Sequence, residues 1–343
     1  MVAIQTVQSS NDLVASTLPP GPVALFIGGT SGIGLATLEQ YAAHTRQPTI
    51  YFTTRWPEAA AGLVARLREA NPGGTYTVLA ADAALVRDVD AAVDRVLQAE
   101  ARLDLLHLSA GYIGIWHAPT AEGLDGSLAT RFYTRARAAQ RLLPLLAAAG
   151  PGGGRVVSVL AAGFEGAVDE DDLGLGRPGA FGWLRANTHA ATMNTLFWER
   201  LGREAGAAAA GVRFVHTYPG TVATPNLRPS FPGRLGGLVV RWLLEPLLNL
   251  VGARPAVAGA RGLFYATSAR YAAAGREGAW VPLVEGLAPG ARTAGGVFLV
   301  DAHSEDVGNA ETLGEMRRRG LGDKVWRHTQ DMFALATAGG GGV

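Results

Sequence analysis

The chain contains no cysteine. Disulfides, thiolate nucleophiles and cysteine-ligated zinc are therefore excluded, and no metal site is expected. Lysine is nearly absent too: Lys324 is the only one, and the rest of the 30 basic residues are arginine. Arginine keeps its charge and forms no Schiff base, so chemistry that needs a lysine amine is closed everywhere before residue 324. Long apolar runs are missing. The best candidate, LVVRWLLEPLLNLVG (238–252), is short and interrupted by Arg241, Glu245 and Pro246, so no integral membrane segment is expected. The N-terminus, MVAIQTVQSSNDLVASTLPPGP, lacks a basic start followed by an apolar stretch, which predicts a cytoplasmic protein. Charge of one sign is lacking as well, with 30 basic against 29 acidic residues, which argues against nucleic acid as a partner.

What is present is an alternation. VALFIG (23–28), TIYFTT (49–54), YTVLAA (76–81), LDLLHLSA (103–110), RVVSVLAA (155–162) and VRFVHTYP (212–219) read as buried strands. GVFLVD (296–301) reads as the last. Segments with helical spacing, such as VDAAVDRVLQAE and SLATRFYTRARAAQRLLPLLAAA, lie between them. Strands without polar interruptions, separated by helices, predict one α/β domain with a parallel sheet covered on both faces. The expected boundaries are an N-terminal tail at 1–20, the domain at 21–337 and a disordered tail at 338–343. TPNLRPSFPGRLGG (224–237) leaves the pattern, and 225–293 is assigned as a variable C-terminal lid over a substrate region.

One short stretch suggests a ligand. In LFIGGTSGIG (25–34), the glycines at 28, 29, 32 and 34 follow a strand and open a helix. A turn of this kind lets backbone amides and the positive helix end approach a pyrophosphate, and implicates Gly28, Thr30, Ser31, Gly32, Ile33 and Gly34. Arg55 ends the next strand about 20 residues beyond the last glycine, where an acid would select NAD. A guanidinium favours a 2′-phosphate, hence NADP(H).

Together these motifs resemble the short-chain dehydrogenase/reductase family, over roughly residues 22–225. GGTSGIG is similar to its T-G-x-x-x-G-I-G turn, with Ile27 where threonine is usual. AADA places Asp82 where the family contacts adenine. LSAG puts Ser109, Ala110 and Gly111 where N-N-A-G is usual, and YPGTVAT puts Pro219, Gly220, Val222 and Thr224 in the loop beside the nicotinamide. The resemblance implies a Rossmann-type doubly wound sheet, a small-molecule substrate and a homo-oligomer (dimer or tetramer) paired through the helices near 121–149 and 185–205. TAEGLD, THAATMNTL, FYATSARY and KVWRHT further resemble a fungal branch associated with secondary-metabolite tailoring.

The family's catalytic set is degenerate in this chain. Ala161 stands at the serine position, with Ser158 earlier in the strand, and Arg185 and His189 stand at the tyrosine and lysine positions. Arg131 stands at the asparagine position. Arg131, Arg185 and His189 are thus the candidate catalytic residues: two guanidiniums to stabilise developing negative charge and an imidazole able to donate a proton. Each has a plain structural alternative. Arg185 could pair with the acidic run Asp169–Asp172, and His189 could be a satisfied core histidine. Tyr112 and Tyr218 are reserve donors, and Glu165 and the DEDD run are expected to be solvated loop charges.

Three functions follow. The first is an NADP(H)-dependent reductase of a bulky natural-product intermediate (imine, enone or carbonyl). The second is a non-redox cyclase or isomerase on the same scaffold, of Diels–Alderase type and able to coexist with reduction. The third is a catalytically inactive NADP-binding protein.

Overall fold

The computed structural model describes residues 1–150, 152–204, 206, 211–222, 253–272, 275 and 277–338. Seven strands form one parallel sheet: β1 (Val23–Ile27), β2 (Thr49–Thr54), β3 (Thr75–Ala80), β4 (Leu105–Leu108), β5 (Arg155–Val159), β6 (Arg213–Thr217) and β7 (Phe298–Val300). Their order is β3-β2-β1-β4-β5-β6-β7, so the direction of winding reverses between β1 and β4. All five β1 residues are buried, as a central strand covered on both faces requires.

The helices are α1 (Ile4–Asp12), α2 (Val14–Thr17), α3 (Gly32–His44), α4 (Ala61–Ala70), α5 (Val86–Ala99), α6 (Gly126–Leu128), α7 (Thr134–Ala147), α8 (Trp183–Glu204), α9 (Pro255–Thr267), α10 (Ala310–Arg318) and α11 (Leu321–Ala338). A π-helical turn, Ala129–Tyr133, joins α6 to α7. Helix α5 buries Val86, Val89, Val93 and Val96, the single stripe that 3.6-residue periodicity produces. Helices α3 and α9 meet closely because Gly262 faces Thr37; a Cβ at Gly262 would lie 2.2 Å from the Thr37 hydroxyl oxygen. Arg155, buried in β5, secures the end of α9 by donating to the carbonyls of Tyr265 (2.8 Å) and Ser268 (2.9 Å), and its guanidinium lies 3.8 Å from the Trp280 ring centroid.

Two boundary expectations and one about chain pairing meet the structure differently. Residues 1–20 are no tail: Val2, Val7 and Val14 are buried, Asn11 donates to the Ala260 carbonyl at 2.9 Å, and Arg261 donates to the Val2 carbonyl at 3.1 Å. Apolar α1 residues have α9 to bury against, which a composition-based reading could not see. Within the expected lid, α9 belongs to the scaffold, while 225–252 lies outside the described residues, as does 339–343. Finally, the outer face of α7 and α8, expected to pair two chains, carries α11. There Trp326 stacks on Phe197 at 5.1 Å, Gln330 bonds Gln140 at 3.3 Å, and Arg200 donates to Asp323 at 2.9 Å. Among the described residues no helix is long and apolar enough to cross a membrane.

Candidate active site

The crevice at the carboxyl ends of β1, β4 and β5 is built at the point where winding reverses, the usual ligand position in such sheets. At its first end, Gly28 has φ +99° and a Cβ there would lie 2.4 Å from the Ala110 nitrogen. A Cβ on Gly34 would lie 2.1 Å from the Gly28 carbonyl and 2.2 Å from the Ser109 hydroxyl. Only glycine lets the turn press against the end of β4. Ser109, in place of the family's asparagine, donates its hydroxyl to the Gly28 carbonyl at 3.2 Å. Thr30 and Ser31 are exposed, Gly32 and Ile33 are half-buried, and no side chain caps α3. Its first-turn amides are thus available to an anion.

Arg55 is exposed at the end of β2 and has no ion pair among the described residues. Asp82 is half-buried; Oδ1 accepts from the Ala84 amide at 2.9 Å, while its own amide donates to Asp88 at 2.9 Å. Pro219 and Gly220 follow β6, with Gly220 at φ +72°, and buried Val222 bridges to Ala253. Thr224 lies outside the described residues. Glycines that admit no Cβ, an uncapped helix start and an unpaired guanidinium together fit a phosphorylated dinucleotide.

At the second end, the π-helical turn inserts one residue into the helix and frees backbone carbonyls. Side chains take them up: Thr134 donates to the Ala129 carbonyl (2.9 Å), Arg135 Nε to Thr130 (3.0 Å) and Asn194 Nδ2 to Arg131 (2.9 Å). Arg131 is 6% exposed and donates through Nη2 to the Asn187 side-chain oxygen. Burial lowers its pKa to about 10, still well above neutrality. Arg135, 2% exposed, donates from Nη1 to Ser158 Oγ (3.0 Å) and the Val159 carbonyl (2.9 Å), and from Nη2 to the Ala110 carbonyl. Burial, helped by the charge of Arg131, brings it down to about 9. Ser158 is engaged in turn with Asn194 (3.4 Å) and is not a free hydroxyl.

The other two candidates do not join Arg131. Arg185 is exposed on the first turn of α8 and donates to the Ala180 carbonyl at 2.9 Å, so its guanidinium closes a loop. Asn187, two residues on, takes the inward position. His189 is buried and bonded at both nitrogens: Nε2 accepts from the Asp169 amide (3.1 Å), and Nδ1 carries the proton to the Leu173 carbonyl (3.1 Å). Burial lowers its pKa, with the Leu173 bond only partly compensating, and the ring is a neutral clamp on the 169–173 loop. Tyr112 is half-buried, its phenol pKa raised by burial and then by Asp125 and Asp82; Tyr218 packs edge-on against Phe164 at 4.8 Å.

Glu165, expected in solvent, is 4% exposed. Its Oε1 accepts from the Thr195 hydroxyl (2.7 Å), which receives the Nδ1 proton of His216 (2.9 Å), whose Nε2 accepts from the Ala161 amide (3.2 Å). Burial raises the carboxyl pKa, but the nearby His216 ring and the bond from Thr195 outweigh it and the net shift is downward. This relay holds the backbone at the position where the family carries serine. Nothing in the sequence pattern announces it; Arg135 was missed as well, although its spacing of four residues from Arg131 is a signal that could have pointed to it.

The family model described as short chain dehydrogenase matches residues 22–167. The chain belongs to the short-chain dehydrogenase/reductase family, a family of oxidoreductases. It is 39% identical to the NmrA-like family domain-containing oxidoreductase notO of Aspergillus sp. (strain MF297-2), covering 99% of this chain and 97% of that protein. It is 35% identical to Oxidoreductase AN1596 of Emericella nidulans, covering 98% and 99%. In fold it is similar to L-sorbose reductase from Gluconobacter frateurii, solved with NADPH and L-sorbose, at TM-score 0.52 and 20% identity, covering 72% of this chain and 90% of that one.

Proposed function

We propose that the protein is a cytoplasmic NADP(H)-dependent reductase of a bulky, largely apolar natural-product intermediate. One observation carries this reading: a turn fit for a dinucleotide shares its crevice with a buried guanidinium, Arg131, whose hydrogen-bond partner is a neutral amide. The oxidoreductase names of the fungal relatives, and NADPH bound on this fold in the L-sorbose reductase, support it.

The amides at the start of α3 would hold the pyrophosphate, Arg55 the 2′-phosphate, and the remaining carboxylate oxygen of Asp82 the adenine amine. The bound nicotinamide supplies a hydride. Arg131 then stabilises negative charge building on a substrate oxygen, in a position shielded from water. A ketone reduction also needs a proton for the alkoxide. His189 spends its proton on Leu173, Arg185 points to a loop, and the Tyr112 phenol is a weakened acid. The site therefore suits a substrate that needs no strong acid. A conjugated enone needs only enolate stabilisation, which Arg131 can give, and an imine would enter in its neutral form, since a cationic iminium is opposed by the same guanidinium. Exposed apolar side chains on the loop after β4 (Trp116, 72% exposed) and the first turn of α8 (Trp183, 56%, and Leu184, 59%) would suit a bulky apolar substrate.

The test is NADPH consumption by the purified protein with a cyclic imine and with a conjugated enone. Binding of NADPH without turnover of imine, enone or carbonyl substrates defeats the redox reading. The missing proton donor also favours a second reading, a cyclase that only folds and polarises its substrate; cyclised product formed without cofactor would establish it.

A further inference from the structure

We propose that Arg131 and Arg135 make this crevice discriminate between the two oxidation states of its nucleotide, binding NADPH about tenfold or more tightly than NADP⁺. This rests on the reading that a nicotinamide occupies the crevice.

The position comes first. Arg135 is clamped between the tips of β4 and β5 by its bonds to Ala110, Ser158 and Val159. Arg131 lies beside it: a Cβ on Gly111 would be 3.2 Å from Arg131 Cγ and 3.4 Å from Arg135 Nη2. The Arg135 guanidinium and the stem of Arg131 thus sit against the first loop residues beyond β4, on the half of the sheet that follows the reversal, and the Arg131 guanidinium runs on to Asn187.

The charge comes second. Every hydrogen-bond partner of the two groups is neutral, and neither has a carboxylate within 4 Å among the described residues. The carboxylates around the site are occupied elsewhere. Asp125 accepts from the Leu128 amide (3.0 Å) and Ala118 amide (3.0 Å) and faces His117 at 3.2 Å, although its charge is still felt at Arg131. Glu165 is held by Thr195 and the Gly163 amide (2.8 Å). The field of Arg135 also reaches across β4. His107, with both ring nitrogens unbonded among the described residues, is brought down to about 3 by burial and by that charge.

The consequence is chemical. The reduced nicotinamide ring is neutral; once a hydride, with its electron pair, has passed to a substrate carbon, the ring carries one positive charge. Two buried cations oppose that charge, weakly screened because solvent is excluded. The reduced nucleotide is favoured and the oxidised nucleotide would leave readily; the same charge opposes the positive charge that would build on the ring, a cost offset by Arg131 holding the negative charge gained by a substrate oxygen. The two forms share adenine, ribose and phosphates, so their affinity ratio isolates the ring.

Titration calorimetry with NADPH and with NADP⁺ tests this without any substrate. Wild type should prefer NADPH about tenfold or more, Arg131→Gln should bring the ratio to about threefold or less, and Arg135→Lys should retain it. Arg135→Gln should act like Arg131→Gln if it folds; wild type and Arg131→Gln suffice if it does not. Equal affinities in wild type, or an unchanged ratio in folded Arg131→Gln, overturn the inference while leaving the nucleotide site intact. Failure of both forms to bind overturns the nucleotide reading and the inference with it.

Discussion

Arg135 and Ser158 are joined by a 3.0 Å hydrogen bond inside the sheet, with Asn194 on the far side of the serine. The strand-five serine here anchors a buried cation. Ser158→Ala should therefore leave kcat/KM within about threefold of wild type but cost about 1–2 kcal/mol of stability, because a buried donor loses its acceptor. Steady-state kinetics beside a urea melt checks both; a hundredfold loss of kcat at unchanged stability would make Ser158 catalytic.

Arg55 stands exposed at the end of β2, unpaired among the described residues, where a 2′-phosphate would lie. Arg55→Asp should weaken NADPH about tenfold or more and leave NADH unchanged or improved, since paired charge-assisted donors are lost and a carboxylate is gained. Dissociation constants for the two nucleotides measure this, and an unchanged preference would remove Arg55 from the site.

Gly34 has no room for a side chain against the Gly28 carbonyl and the Ser109 hydroxyl. Gly34→Ala should force the turn away from β4, costing about 2–4 kcal/mol and abolishing nucleotide binding. Thermal unfolding and titration of the same preparation report the two effects. Wild-type affinity in this variant would mean that the turn has another geometry.

His107 and His189 are buried and His328 is half-buried, and all three have pKa values below the ordinary imidazole value, desolvation being the leading cause in each. Between their folded and unfolded pKa values the unfolded chain binds more protons, so stability falls as pH drops below about 6.5, by up to about 1.4 kcal/mol per pH unit for each group. The lowered carboxyl of Glu165 adds to the loss at lower pH. Urea melts between pH 7.5 and about 5 should show the decline; a flat profile would mean that the histidines are solvated.

Helix α11 lies on α7 and α8 through Trp326, Gln330 and Asp323. Pairing of two chains through that face requires α11 to be displaced, so any oligomer found by native mass spectrometry should pair through another face. Removing residues from 321 onward should expose Phe197 and promote association. A stable dimer of the full chain whose hydrogen-exchange protection maps to α7 and α8 would contradict this arrangement.

The linear order of residues determined the sheet and its nucleotide end. Each of the seven strands lies within or one residue outside its apolar run, because a doubly covered parallel strand is built mostly of apolar residues and leaves a local mark. The glycine turn was equally legible, since φ +99° and a 2.4 Å approach to Ala110 narrow the choice to one residue type. The opposite end was not. Position on α8 told which residues stand where the family keeps its tyrosine and lysine, but not which way they face. Helix start and loop path turned Arg185 outward, set His189 on Leu173 and brought Asn187 to Arg131. Glu165 was drawn inside only because Thr195 and His216, distant in the chain, offered it bonds. Local backbone demands are written in neighbouring residues; the direction of a polar side chain depends on partners that folding alone assembles.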